Sequence, residues 1–436
     1  MIGLRKLTQL FNKGMEQIVA PSKMETFRRN LPVSLLKIKK EDLAASNERL
    51  LLNGFPNSRT EAWKYSRLNR IASLNLNTIT SSPISWEHYS VTNEAYTFVF
   101  QNDRCIHFSQ DLPDGIMVKE AAHLSLEEWK TLDINSHVID INKTHAQNGL
   151  CLWLRKGVSL TKPVQLIFIS SGTEQAAIHR NQFILEKNSK MEVIISHFSI
   201  DGQKNYKNIV SEFHLEENAC LSVNKLQNEE GEDFHFSTEN IHQKNNSNFS
   251  LTTLTLNGNW VRNDVNVFVD GEGCETFLNG AYLSKGIQHI DNHTTIDHMK
   301  PNCNSYELYK GVMDEKSTAV FNGKVFVRPD AQKIAAFQSN ANVLIGDEAS
   351  VNSKPELEIY ADDVKCSHGS TIGQLDEEAI FYLQSRGISE KTARRLVLTA
   401  FMQDVFEKIT SPVVVTFLNQ VLSKRFNWDL SVLEED

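Results

Sequence analysis

The stretch Asn246–Leu283, NSNFSLTTLTLNGNWVRNDVNVFVDGEGCETFLNGAYL, decides the fold. Its runs Phe249–Leu256, Val265–Val269 and Thr276–Leu283 are alternating or β-branched, so each reads as a strand. Polar turn clusters at Asn246 and Glu272 punctuate them, with no helix-length pattern between. The same texture extends outward from about Tyr96 to Val364, with YTFVF, VQLIFIS, NQFILE, MEVIISHF and IVSEFHLE before it and VFVRP and LEIYADDV after it. Clusters at Asn188, Asn218, Asn246, Glu272, Asn302 and Asp330 stand about 26 to 30 residues apart, and Asp347 and Asp363 continue at about half that. Such a period suits short strands stacked one rung per turn, each burying its apolar face only against its neighbours. A sandwich or barrel also gives many short strands. Two hairpin-suited pairs between apolar runs, Asn279-Gly280 and Asn322-Gly323, keep that alternative open.

The flanks are helical. SLLKIKKEDLAASNERLLLNGFP has helical spacing and stops at Asn53-Gly54 before Pro56. Thr60 can cap the segment carrying Trp63 and Tyr65, whose plain reading is an aromatic anchor. After Gly373, Asp376 and Ser389 are N-caps, Gly387 is a stop, and Ala393, Leu396, Val397, Ala400, Phe401 and Ile409 make one apolar stripe. That stripe either packs back on the strands or fills a groove on a partner. The expected organisation is an N-terminal helical region over 1–90, a β core over 91–375 and a C-terminal helical region over 376–436.

The chain of 436 residues has a net charge of −9, a pI near 5.9 and a mean hydropathy of −0.34. These values describe a globular protein without the basic footprint of a nucleic-acid binder. No apolar run reaches the roughly 18 residues of a membrane span. The first 20 residues read as an amphipathic helix, whose basic bias leaves an organelle-import segment open. Six scattered cysteines without a CxxC pair suit a reducing, cytoplasmic compartment.

No P-loop, dinucleotide fingerprint, GxSxG elbow or HExxH pair is present. Two places cluster ligating side chains. In HIDNHTTIDHMKPNC, His289 and His293 share a strand face while His298 points the other way, so nothing in the spacing brings them and Cys303 to one zinc ion. In DDVKCSHG, Cys366 and His368 share one face roughly 6.5–7 Å apart, within reach of a common metal or sulfur species. Spacing alone favours a quiet strand end, with Cys366 a small hydrophobe.

The run from His289 to Ile388, with FNGKVFVRPDAQK, PELEIYADDVKCSHG and FYLQSRGI in order, closely resembles the core of the SufB/SufD family of iron–sulfur cluster assembly proteins. FPNSRTEAWKYSRL, residues 55–68, looks like the N-terminal segment of the SufD branch. The resemblance covers most of the chain and is weakest from about 75 to 180. It implies a right-handed parallel β-helix between helical ends. It implies a scaffold without turnover of its own, pairing with a SufB-type paralogue through the last strands and binding a SufC-type ATPase through the C-terminal helices, with Leu396, Ala400 and Phe401 as candidate contacts. SufB-type chains carry a Glu-His-Glu-Ala type stretch where Cys366-Ser367-His368-Gly369 stands, and a sulfur-accepting cysteine slightly upstream. No thiol lies between Cys303 and Cys366 here. The resemblance therefore implies half of a shared site, with His368 a ligand to iron or a transient cluster and Cys366 second to it, and no stably bound cofactor. Two rivals are a β-helix carbohydrate-active enzyme using Asp362 and Asp363, and a structural homodimer. The first has no obvious aromatic-lined sugar cleft in the sequence. An organelle stroma is the alternative compartment.

Overall fold

The computed structural model describes residues 22–76, 82–130, 134, 136–200 and 204–426; the amphipathic segment expected over the first 20 residues lies outside them. Nineteen strands among the described residues form one ten-stranded and one nine-stranded sheet. From Leu150–Leu154 onward successive strands alternate between the sheets, and each pairs in parallel with the strand one turn later. Phe234 pairs with Trp260 and Thr318 with Ser350, so a turn takes between 26 and 32 residues. The chain is thus a parallel β-solenoid, as its rhythm predicts. Antiparallel strands Arg104–Phe108 and Ile116–Glu120 close its N-terminal end.

The turns share one corner. Asn188, Asn218, Asn246, Gly273, Asn302 and Lys333 all adopt the left-handed conformation, with φ between 56° and 69°. Asparagine tolerates it because its short side chain bonds locally. Each asparagine corner N–H donates to a carbonyl one turn on: Asn188 to Glu217, Asn218 to Asn245, Asn246 to Glu272 and Asn302 to Gln332. The Asn218 amide also donates to the Asn188 side chain at 2.8 Å. The corners expected at Glu272 and Asp330 are in fact Gly273 and Lys333, displaced by one and three residues. The backbone, not the most polar residue, sets the corner.

Between the sheets lies a continuous apolar core that includes Phe98, Leu166, Val193, Phe213, Leu251 and Phe321. The N-terminal segment covers the outer face of the nine-stranded sheet, where Met24, Phe27 and Trp63 pack on Ile178, Tyr206, Phe236 and Trp260. The C-terminal helices Glu377–Ser385, Glu390–Phe406 and Pro412–Phe426 cover the ten-stranded sheet at Leu254, Leu256, Ala281, Leu283 and Val312. The tail therefore packs back on the strands, and the stripe that does so is Ala393, Leu398, Met402, Val405, Phe406 and Ile409. Leu396 and Phe401 are only half-buried and Ala400 is exposed. Asp376 and Ser389 cap as expected, accepting from the Ala379 and Thr392 amides. Thr60 makes no side-chain cap bond and is followed only by the single 3-10 turn Glu61–Trp63.

Neither Asn-Gly pair is a hairpin. Asn279-Gly280 and Asn322-Gly323 lie inside parallel strands. The glycines answer packing: a Cβ on Gly280 would enter the Tyr309 ring, and one on Gly311 the Tyr282 ring. In register, Gly280 faces Tyr309 and Tyr282 faces Gly311, so each tyrosine lies over its neighbour's glycine. Both rings are about 1% exposed and have nowhere to move. Gly280→Ala should therefore cost about 1–3 kcal/mol of stability by overpacking, seen as a lower urea midpoint with an unchanged slope. An unchanged midpoint would mean the ring yields.

Candidate functional site

The solenoid stops abruptly. Its last turn consists of Ser350–Ile359, at the edge of the nine-stranded sheet, and Val364–Gly373, at the edge of the ten-stranded sheet. No later strand covers either one among the described residues. Residues that point inward in earlier turns become, in this turn, an open end face. On the final strand the register aligns Cys366 with buried Ala336, His368 with buried Gln338 and Ser370 with buried Asn340. These residues and Val364 and Ile372 thus form the inward row. On the other edge Val351, Ser353, Pro355, Leu357 and Ile359 follow inward Ala319, Phe321, Gly323, Val325 and Val327.

The structure so puts Cys366 and His368 on one face, as the alternation predicts, at the mouth of the solenoid. They differ in setting. Cys366 is half-buried against the main core, and burial raises its thiol above the ordinary range, which keeps it protonated. His368 is exposed. Around the mouth the polar groups are fixed. The Ser370 hydroxyl donates to Ser353 at 2.7 Å, Ser353 donates to Asn340 Oδ1 at 2.7 Å, and Asn340 donates to the Tyr282 hydroxyl at 3.0 Å. Beneath His368 the inward row runs through Gln338 to Glu307, whose Oε2 accepts from Gln338 at 2.6 Å. Burial lifts Glu307 to about 7, against the lowering effect of Thr294 and Gln338. A carboxyl able to hold its proton near neutrality thus lies two rungs below the imidazole.

Ser367, one residue away, continues a different row. Phe277, Tyr306 and Phe337 stack on successive rungs of the outer face, with ring centroids 5.4 and 5.6 Å apart. They line a cleft of about 590 Å³ that reaches Ser367, His368, Gly369 and Lys408. An aromatic-lined cleft therefore exists, contrary to the sequence reading. Its signal is an aromatic residue at 277, 306 and 337, one per turn. Asp362 and Asp363 are not among its lining residues; they occupy an exposed corner, where the Asp363 carbonyl accepts from the Lys333 amide at 2.6 Å. The carboxylate pair on which the carbohydrate reading relied thus lies apart from this cleft.

The other histidine cluster does not converge. His289 stacks on Trp260 and bonds Ser66 Oγ at 2.8 Å, and His293 pairs with Asp291 at 2.9 Å, both on the outer face. His298 turns inward to Ser305 Oγ at 2.9 Å, and the Cys303 thiol donates to the Gly271 carbonyl at 3.1 Å. These are structural partners. No helix among the described residues is long and apolar enough to cross a membrane.

A family model described as SUF system FeS cluster assembly, SufBD core domain, matches residues 168–401. The chain is 29% identical over 397 residues to an iron–sulfur cluster assembly SufBD family protein of Synechocystis sp., covering 85% of this chain and 87% of that one. It is 27% identical over 368 residues to the iron–sulfur cluster assembly protein SufD of Escherichia coli, covering 83% and 87%. It is also similar to the chloroplastic protein ABCI7 of Arabidopsis thaliana, 28% identical over 386 residues, covering 84% and 81%.

Proposed function

Because this chain belongs to the SufBD family of the SUF iron–sulfur cluster assembly system, we propose that it is a scaffold subunit rather than an enzyme, and that its open solenoid end is where it works. The single observation carrying this reading is that end: two edge strands that no further strand covers among the described residues, with His368 exposed on one of them. An edge strand is a template for another chain. Pro355 removes a donor from the nine-stranded sheet's edge, whereas Val364–Gly373 contains no proline. Pairing with a SufB-type paralogue is accordingly led by Val364–Gly373. The ATPase of SufC type docks on the C-terminal region, 376–436, through Glu390–Phe406, with Leu396 and Ala400 on its outward side and Phe401, whose ring lies 4.9 Å from Lys310 Nζ of the ten-stranded sheet, at the margin. Phe381 and Tyr382, 72% and 57% exposed on the neighbouring helix, extend that surface. A cluster forms transiently at the paired ends, with His368 as a ligand on this side. The raised thiol of Cys366 makes it a packing residue first and a ligand second.

Co-expression with SufB- and SufC-type partners tests this. His368→Ala should leave the complex assembled, since the side chain is exposed, but lower cluster formation roughly 10- to 100-fold. Cys366→Ala should change it by less than a factor of about three. Full cluster formation by the His368 variant would remove that residue from the site. Self-association without a paralogue would favour the homodimer reading.

A further inference from the structure

Within the first turns of the solenoid, far in sequence from the open end, lies a group that pairing and cluster assembly leave unused. His197 on Lys190–Ser199, Glu229 just beyond Cys220–Asn228, and His235 on Phe234–Gln243 each bring a ligand atom within 4.8 Å of the other two. None is more than 2% exposed. Glu229 Oε2 lies 2.8 Å from His235 Nδ1, while Oε1 accepts from Lys207. Lys207 also lies 3.7 Å from Asp233, whose carboxylate accepts from the Ser170 and Ser199 hydroxyls. Two carboxylates therefore face the Lys207 ammonium, and the other buried ammonium nearby, Lys225, is paired with Glu239 at 2.7 Å.

His197 is the residue that packing does not explain. Its ring stacks on Phe168 at 5.2 Å and meets His235 edge-on at 4.5 Å. Neither of its nitrogens has a hydrogen-bond partner among the described residues. Burying an imidazole without partners is unfavourable, and phenylalanine would fill the same slot without that cost. Two imidazoles and one carboxylate are a donor set for Zn(II) or Fe(II).

We propose that His197, Glu229 and His235 form an internal site for a divalent first-row transition metal, of the class of Zn(II) and Fe(II). Lys207 acts on it as a positioning residue, holding one oxygen of Glu229 so that the other faces the histidines. Because the ligands are enclosed, the ion enters as the turns close. The site does not rest on the scaffold reading.

The test uses the full chain, expressed with Zn(II) or Fe(II) supplied, purified without oxygen and dialysed against a weak chelator. Wild type and His368→Ala should each retain about one equivalent of metal, and His197→Phe at least roughly tenfold less. His197→Phe should melt at or above the temperature of metal-stripped wild type, because it removes an unpartnered polar group. Metal content equal in wild type and the phenylalanine variant overturns the proposal. Co(II) alone, refolded with wild type, gives a reading that no variant can confound. An intense spectrum of a four- or five-coordinate ion supports the site, and the pale spectrum of the hydrated ion refutes it.

Discussion

Arg180→Met should lower stability by about 3–5 kcal/mol, because it takes the guanidinium away from a buried carboxylate. Arg180 and Glu212 are each about 1% exposed and joined by a 2.8 Å bond from Nη2 to Oε1. The pair sits under the helix His137–His145: the guanidinium also donates to Asn142 Oδ1 at 3.3 Å, and the Asn142 amide donates to the His179 carbonyl at 2.8 Å. The ion pair thus fixes the helix to the nine-stranded sheet. The partner change separates pairing from mere burial. Arg180→Met combined with Glu212→Leu removes both charges, and the double variant should lie within about 1 kcal/mol of wild type. Urea midpoints of wild type, Arg180→Met, Glu212→Leu and the double variant give the coupling energy directly. If the double variant falls as far as the single one, the contribution is packing of the arginine stem rather than charge.

Much of this architecture is legible in the sequence, for one physical reason. A solenoid repeats its demands, so strand alternation and corner asparagines recur at a fixed interval even without repeated sequence. Asn188, Asn218, Asn246 and Asn302 carry that signal because a left-handed corner restricts residue choice. The signal weakens where the corner is Lys333, a residue with no such preference. The Asn-Gly pairs mislead because glycine serves two needs, reversal of the chain and room for a neighbour's ring, and sequence order does not distinguish them. The C-terminal stripe is misread by about one helix position because both sides of Glu390–Phe406 carry apolar residues. At the site, alternation places Cys366 and His368 on one face but cannot say that the face opens to solvent; only the end of strand stacking does. The His197, Glu229 and His235 group was not legible at all, since its members meet across the core from different turns.

Ile359→Asp with Ile372→Asp should abolish pairing with a SufB-type partner while leaving the isolated chain folded. Each belongs to the inward row of its strand, yet Ile359 is 39% and Ile372 51% exposed because no further turn among the described residues covers them. An uncapped solenoid end ordinarily carries a polar outer layer for solubility; apolar side chains at this one mark a surface meant to be covered. Central apolar anchors of an interface commonly contribute 2 kcal/mol or more each, so the double change should weaken association by roughly a thousandfold. Folding is spared because neither side chain is enclosed before pairing. Co-purification and analytical ultracentrifugation with the partner measure the loss. Leu396→Asp is the matched control: it lies on the C-terminal region, and it should release the ATPase without disturbing the paired ends. Association at wild-type strength in the double variant would move the interface off the solenoid end, and with it the reason for placing His368 in a shared site.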